Sequence, residues 1–279
     1  PLADEEPFVL DALQRYTLSE SLLEAALRQP DNVDRALEDQ ARRLQNSGLL
    51  PMAGFGESLQ RELIEPLPDL LQRYQQLLAL WPTPLTSALP VNLELQGVRI
   101  EGWLAGLHQR ADGGVLSVTA IPNSIGSIKS RKWHRLIKPW VNHLVACASG
   151  LMLSTALVAS DDTLLLEPME KDRATRFLGD LLLAWQAGMR QPLPIAVKTA
   201  FAWLAQTDPL KAEAAARKAY EGDGQTSEGE RRENPALFRQ FADFDALLAD
   251  ETFSGWCDAL YRPLYEAPWR SLISEGARA

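Results

Sequence analysis

Apolar and polar positions alternate along this chain with two different periods, and the changes of period mark its elements. Residues 17–29 and 31–46 carry apolar positions at helical spacing. Thr17 or Ser19 is the expected cap of the first helix and Pro30 its stop, while Val33, Leu37 and Leu44 form the stripe of the second, closed by Ser47-Gly48. A longer helical pattern over residues 57–80 runs through Leu59, Leu63, Leu67, Leu70, Leu71, Tyr74 and Leu78. Pro66 and Pro68 must kink or interrupt it, because proline lacks the amide that a helix interior needs. The period then shortens. Residues 91–95 alternate, Gln96-Gly97 turns, residues 98–108 read as a second strand, and residues 111–114 turn the chain into a third over 115–121. A compact helix over 140–149 and an almost unbroken apolar run over 151–159 suit a helix leading to a buried strand, with 163–166 as a possible edge strand. A helix opened by Pro168 and running to about Met189 should bury Phe177, Leu178, Leu181, Leu182 and Trp185. Helical stretches follow at 198–204 and 210–220. Residues 221–234 are polar and glycine-rich and read as a mobile surface loop, 235–272 hold enough aromatic residues to fold back on the body, and 271–279 should fray.

This order of helix, three strands, helix and strand resembles the core layout of the restriction-endonuclease-like, PD-(D/E)xK-type nucleases. An active nuclease of that kind needs an Asp on one strand and Asp/Glu-x-Lys on the next, since a hard divalent cation requires clustered carboxylate oxygens. The second strand here reads Gly102-Trp103-Leu104-Ala105 and the third Val115-Leu116-Ser117-Val118-Thr119-Ala120-Ile121-Pro122. No register of the third strand supplies a carboxylate or a lysine. The expected fold class is therefore α/β, a restriction-endonuclease-like nuclease fold lacking its catalytic residues, with helical N- and C-terminal extensions. Its expected parts are a helical lead-in over 1–53, an α/β core over 54–190 and a helical extension over 191–279, together one compact domain. No catalytic residue, metal ligand or cofactor is expected. Glu57, Glu62 and Glu101 are the carboxylates that could line such a core; Glu57 and Glu62, five apart on a helix, read as solvated surface, and alternation leaves the face of Glu101 open.

Composition narrows the compartment and the partners. The chain has 279 residues, 46% of them apolar, enough to bury a substantial core. Two cysteines are too few for a disulfide framework, and the absence of a signal peptide or long apolar run predicts a soluble, cytoplasmic protein with no membrane partner. Starting at Pro1, the chain reads as an excised piece of something longer. A net charge of -9 argues against wholesale coating of nucleic acid, yet residues 113–160 contain no Asp or Glu, while Lys129, Arg131, Lys132, Arg135 and Lys138 crowd one loop with Trp133 and His134. These seven are the candidate nucleic-acid-binding residues: cations for phosphates and rings on which a base could stack. The competing reading is a solvated loop, or one that docks on an acidic partner. His143 and Cys147 are four apart on one helical face, a zinc-compatible spacing that reads instead as core packing. The tryptophans on the C-terminal helices could belong to a subunit interface.

Several separated stretches resemble the RecC family, the gamma subunit of exodeoxyribonuclease V. They are residues 7–16, Leu50-Pro51 with Gly54-Phe55-Gly56-Glu57, residues 97–104, His143-Leu144-Val145 with Cys147-Ala148-Ser149-Gly150, Gly188-Met189 before Pro192-Leu193, and Ala219-Tyr220-Glu221-Gly222. Their order and spacing follow the C-terminal region of that subunit, and none is a catalytic signature. The resemblance implies a nuclease-like fold that has lost its active site, packing against a RecB-like helicase-nuclease subunit in a complex with a RecD-like subunit, close to where duplex DNA is split. Chi recognition would belong mainly to upstream helicase-like domains. The expected function is a non-catalytic scaffold that positions a DNA fork in double-strand break repair and recombination, with no small-molecule substrate. Its rivals are a protein-interaction module without DNA contact, and an active magnesium-dependent nuclease with migrated ligands.

Overall fold

The computed structural model describes residues 10–50, 54–127, 130–224, 227–249 and 251–273. Four helices come first. In α1 (Ala12–Arg28) Asp11 accepts from the Gln14 amide while the Gln14 side chain accepts from the Asp11 amide, so the cap lies earlier than Thr17 or Ser19. A 3-10 turn over Pro30–Asn32 leads into α2 (Val33–Asn46). Pro66 and Pro68 divide the long helical pattern into α3 (Gly54–Ile64) and α4 (Leu67–Leu80).

The strands do not form one meander. β1 (Thr83–Pro84) is followed by a hairpin of β2 (Leu89–Leu95) and β3 (Val98–Leu104), which stands as its own two-stranded sheet. The stretch expected as one strand over 98–108 is interrupted at Ala105-Gly106, where Gly106 takes φ 67°. The chain re-enters regular structure as β4 (Leu107–Gln109) in a different sheet, with β5 (Val115–Ala120), β6 (Leu153–Val158), β7 (Thr163–Leu166) and β8 (Arg270–Ser271), in the order β1-β4-β5-β6-β7-β8. β5 and β6 are parallel, joined through α5 (Ile137–Ala148), and the other pairs are antiparallel. β7 is fully buried and lies inside the sheet, because β8 pairs with its outer side.

Alternation along the strands assigns the two faces of this sheet. Leu116, Ala156, Val158 and Leu165 pack with the leucines of α1 to α4. Leu157, Leu164 and Leu166 pack on the opposite side with α5, α6 (Lys171–Gly188), α7 (Val197–Leu204), α8 (Pro209–Glu221) and the segments that follow. Those segments are α9 (Glu230–Glu233), α10 (Pro235–Gln240), α11 (Phe244–Leu248), α12 (Phe253–Trp256), a π-helical turn over Cys257–Tyr261 and α13 (Arg262–Tyr265). The result is a mixed α/β arrangement with the sheet between helical layers. Two expectations for this second layer fail. Trp185 keeps the helical spacing of its buried neighbours but is 55% exposed. The stretch read as a mobile loop over 221–234 contains α9, whose Glu230 is buried. No helix among the described residues is long and apolar enough to cross a membrane.

Candidate nucleic-acid interface

The basic segment leaves β5 at the edge where β6 turns into β7, and that turn holds it. Asp161 accepts from the amides of Ile125 and Gly126 at 2.7 and 2.8 Å. Gly126 sits at φ 75°, and a Cβ there would lie 2.4 Å from the Ser130 carbonyl oxygen, so only glycine fits the bend. Asp162 divides its oxygens: Oδ2 takes Arg131 at 3.2 Å, and Oδ1 takes the Ser271 hydroxyl at 2.6 Å and the Thr163 amide at 2.8 Å. The Arg131 and Asp162 side chains are 5% and 13% exposed. Arg131 is thereby a structural cation rather than a free one.

The remaining candidates separate into inward and outward groups. Arg135 donates to the Ser124 carbonyl and is half-buried, and its burial lowers its pKa. Trp133 opens a 3-10 turn over Trp133–Leu136, with its ring stacked at 6.1 Å on Phe201 and tilted against Tyr265 at 5.0 Å. That ring is engaged by Phe201 and Tyr265 while the half-buried residue still lines the cleft described below. His134 is held neutral, its pKa pushed down to about 4 by burial, then by Lys198, Arg135 and Lys132. Lys132 is exposed and donates to the Ser124 hydroxyl at 2.8 Å. Lys138 is exposed and makes no ion pair or hydrogen bond among the described residues. Lys129 lies outside the described residues.

Spacing could not reveal that α7 adds a cation to this face. A cleft of about 300 Å³ is lined by Lys132, Trp133, His134, Lys198, Phe201 and Tyr265, among others. Lys198 comes from the first turn of α7, and only the folded contact of Phe201 with Trp133 brings it beside the basic segment. The arrangement offers ammonium groups at the rim and packed rings beneath. It can hold an anion by charge without a metal.

The carboxylates named for a metal pocket are scattered. Glu62 pairs with Arg15 on α1, Glu101 pairs with Arg99 in the separate hairpin, and Glu57 is exposed on α3. Strands β4, β5, β6 and β7 contain no Asp or Glu. Among the described residues no group of three or more His, Cys, Asp or Glu side chains could hold a metal ion. His143 and Cys147 are buried together, with His143 Nδ1 3.0 Å from Thr155 Oγ1 on β6 and Nε2 3.6 Å from the Cys147 sulfur. Burial pushes the His143 pKa down to about 4 and the Cys147 thiol up.

Comparison with known families gives this geometry its setting. The profile described as the RecC C-terminal domain matches residues 1–208. The chain belongs to the RecC C-terminal domain family. It is also 28% identical over 236 residues to the RecBCD enzyme subunit RecC of Escherichia coli (strain K12), covering 80% of this chain and 19% of that protein. The chain thus spans about a fifth of its RecC relative. The RecC match takes in β1 to β7, the basic segment and Lys198, and it ends at Asp208, the N-cap of α8.

Proposed function

We propose that this chain is a non-catalytic scaffold of a RecBCD-type helicase-nuclease subunit that helps to position forked DNA in double-strand break repair and recombination, in the cytoplasm. The carrying observation is that a RecC-family chain has a mixed central sheet whose strands β4 to β7 lack any carboxylate, with a cationic cleft at the connection between β5 and α5. We read the sheet with its α5 crossover as a restriction-endonuclease-like core over 54–190, with the helical parts over 1–53 and 191–279 as its extensions. Without clustered acids it has nothing to fix a divalent cation or to raise the basicity of an attacking water. Hydrolysis would fall to a RecB-like partner, with a RecD-like subunit completing the complex.

In this reading Lys132 and Lys138 make the phosphate contacts, while Arg131, Trp133, His134 and Arg135 build the shelf that presents them. Binding to a forked oligonucleotide, measured across salt concentrations, tests it. Lys132→Ala with Lys138→Ala should flatten the salt dependence by about two phosphates' worth. Cleavage of the fork by the purified chain with magnesium, lost on Glu57→Gln or Glu101→Gln, would instead identify a working nuclease. A second reading, a protein-interaction module without DNA contact, is favoured by the inward commitment of Arg131 and Arg135. Salt-independent or absent binding in the same titration would establish it.

A further inference from the structure

The acidic stretch after α8 meets the α7 end of the cationic cleft at Lys198 and Thr199. Glu230 Oε1 accepts from the Lys198 amide at 3.0 Å, and Oε2 accepts from the Thr199 amide at 2.8 Å and the Thr199 hydroxyl at 2.9 Å. A carboxylate seated on free amides at a helix start is favoured by both hydrogen bonding and the helix dipole. This contact fixes α9 against α7. One turn later, the Glu233 carboxylate pairs with Lys198 Nζ, while that lysine also lines the cleft beside Lys132 and His134. Both partners stay substantially exposed, at 41% and 54% for their side chains. An exposed pair of this kind contributes little to stability and exchanges readily for another anion.

Resting on the reading of the cleft as a DNA-contacting face, we propose that Lys198 is a further phosphate-binding residue whose ammonium is held in reserve by Glu233, an internal anion that bound phosphate must displace. Glu230 is the anchor of this strap and Glu233 its exchangeable end. The strap weakens binding of any single polyanion and makes Lys198 engage only where a phosphate reaches the α7 end of the cleft. Contacts along the basic segment and contacts at α7 are then separable.

A double-mutant cycle on the 279-residue chain tests this with a fluorescent forked oligonucleotide as probe. Glu233→Gln should tighten binding about two- to fivefold, the range expected for releasing an exposed ion pair. It should also steepen the salt dependence by about one phosphate. In a Lys198→Ala background the same change should have no effect beyond that of Glu228→Gln, which removes an exposed neighbouring charge of the same sign. Equal gains from Glu233→Gln with and without Lys198, or no gain at all, would overturn the inference while leaving DNA contact through Lys132 and Lys138 intact. Failure of both the natural chain and the Glu233→Gln variant to bind at low salt would overturn the cleft reading and the strap together.

Discussion

Two stretches that read as polar surface in the sequence, the basic connection over 121–138 and the acidic one over 221–234, turn out to be built alike. Each has an inner charge committed to the protein and an outer charge facing solvent. In the basic stretch Arg131 is sealed against Asp162, while Lys132 and Lys138 stay outside. In the acidic stretch Glu230 is buried on three donors while Glu233 and Glu228 remain accessible. The difference lies in what each inner charge holds. Arg131 is matched by an opposite charge from a distant turn, whereas Glu230 is matched by backbone amides and a hydroxyl. A local charge count therefore overstates how many cations the basic stretch offers to a ligand, and it hides the structural role of the acidic one.

The largest effect that could break this parallel is at Arg131. Arg131→Ala should lower stability by about 3–5 kcal/mol, because it leaves Asp162 buried without its partner. Urea denaturation measures it, and a loss below about 1 kcal/mol would place Arg131 among the ordinary surface cations. Glu230→Gln should cost about 1.5–3 kcal/mol, since hydrogen bonds to a charged acceptor are the stronger kind, and the same denaturation series reads it. Gly126→Ala should cost about 1–3 kcal/mol, because φ 75° disfavours a side chain and the new Cβ would meet the Ser130 carbonyl. Its signature is that DNA affinity falls with the loosened bend although no charge is removed.

His134, which the two stretches share through Lys198, sharpens the comparison by pH. Its folded pKa of about 4 lies below the ordinary value of 6.5. The unfolded chain therefore takes up the proton first, so this contribution to stability is present above about pH 6.5 and is lost as pH falls toward 4. The difference in stability between the natural chain and His134→Gln, followed over that window, should shrink on acidification. A difference that stays constant would mean the histidine is freely solvated.

Much of the architecture was legible because it is local. The Pro66 and Pro68 interruption, the α2 stripe and the fully buried, mostly apolar β6 follow from propensity and period, which neighbouring residues determine. The breaks in legibility have physical causes. Residues 98–108 keep a strand-like composition through Gly106, and only its left-handed backbone diverts the chain into a second sheet. Trp185 holds the right spacing on α6, but it projects where no neighbouring layer covers it sufficiently. β7 resembled an edge because its cover, β8, lies about a hundred residues later. For the candidate site, the sequence marked a run of cations but could not separate inner from outer. Arg131 finds its partner 31 residues away, and Lys198 joins through packing between Trp133 and Phe201.

The Asp162 carboxylate ties together residues 131, 162 and 271, so the order in which the chain is synthesised matters. When Asp162 has just been added to the chain, Ser271 is still more than a hundred residues from being made, and the turn that clasps the basic stretch lacks one of its anchors. The cationic rim is thus completed only after Ser271 is made, and a chain that stops short of Ser271 would carry every proposed DNA-contacting residue on an unfinished mount.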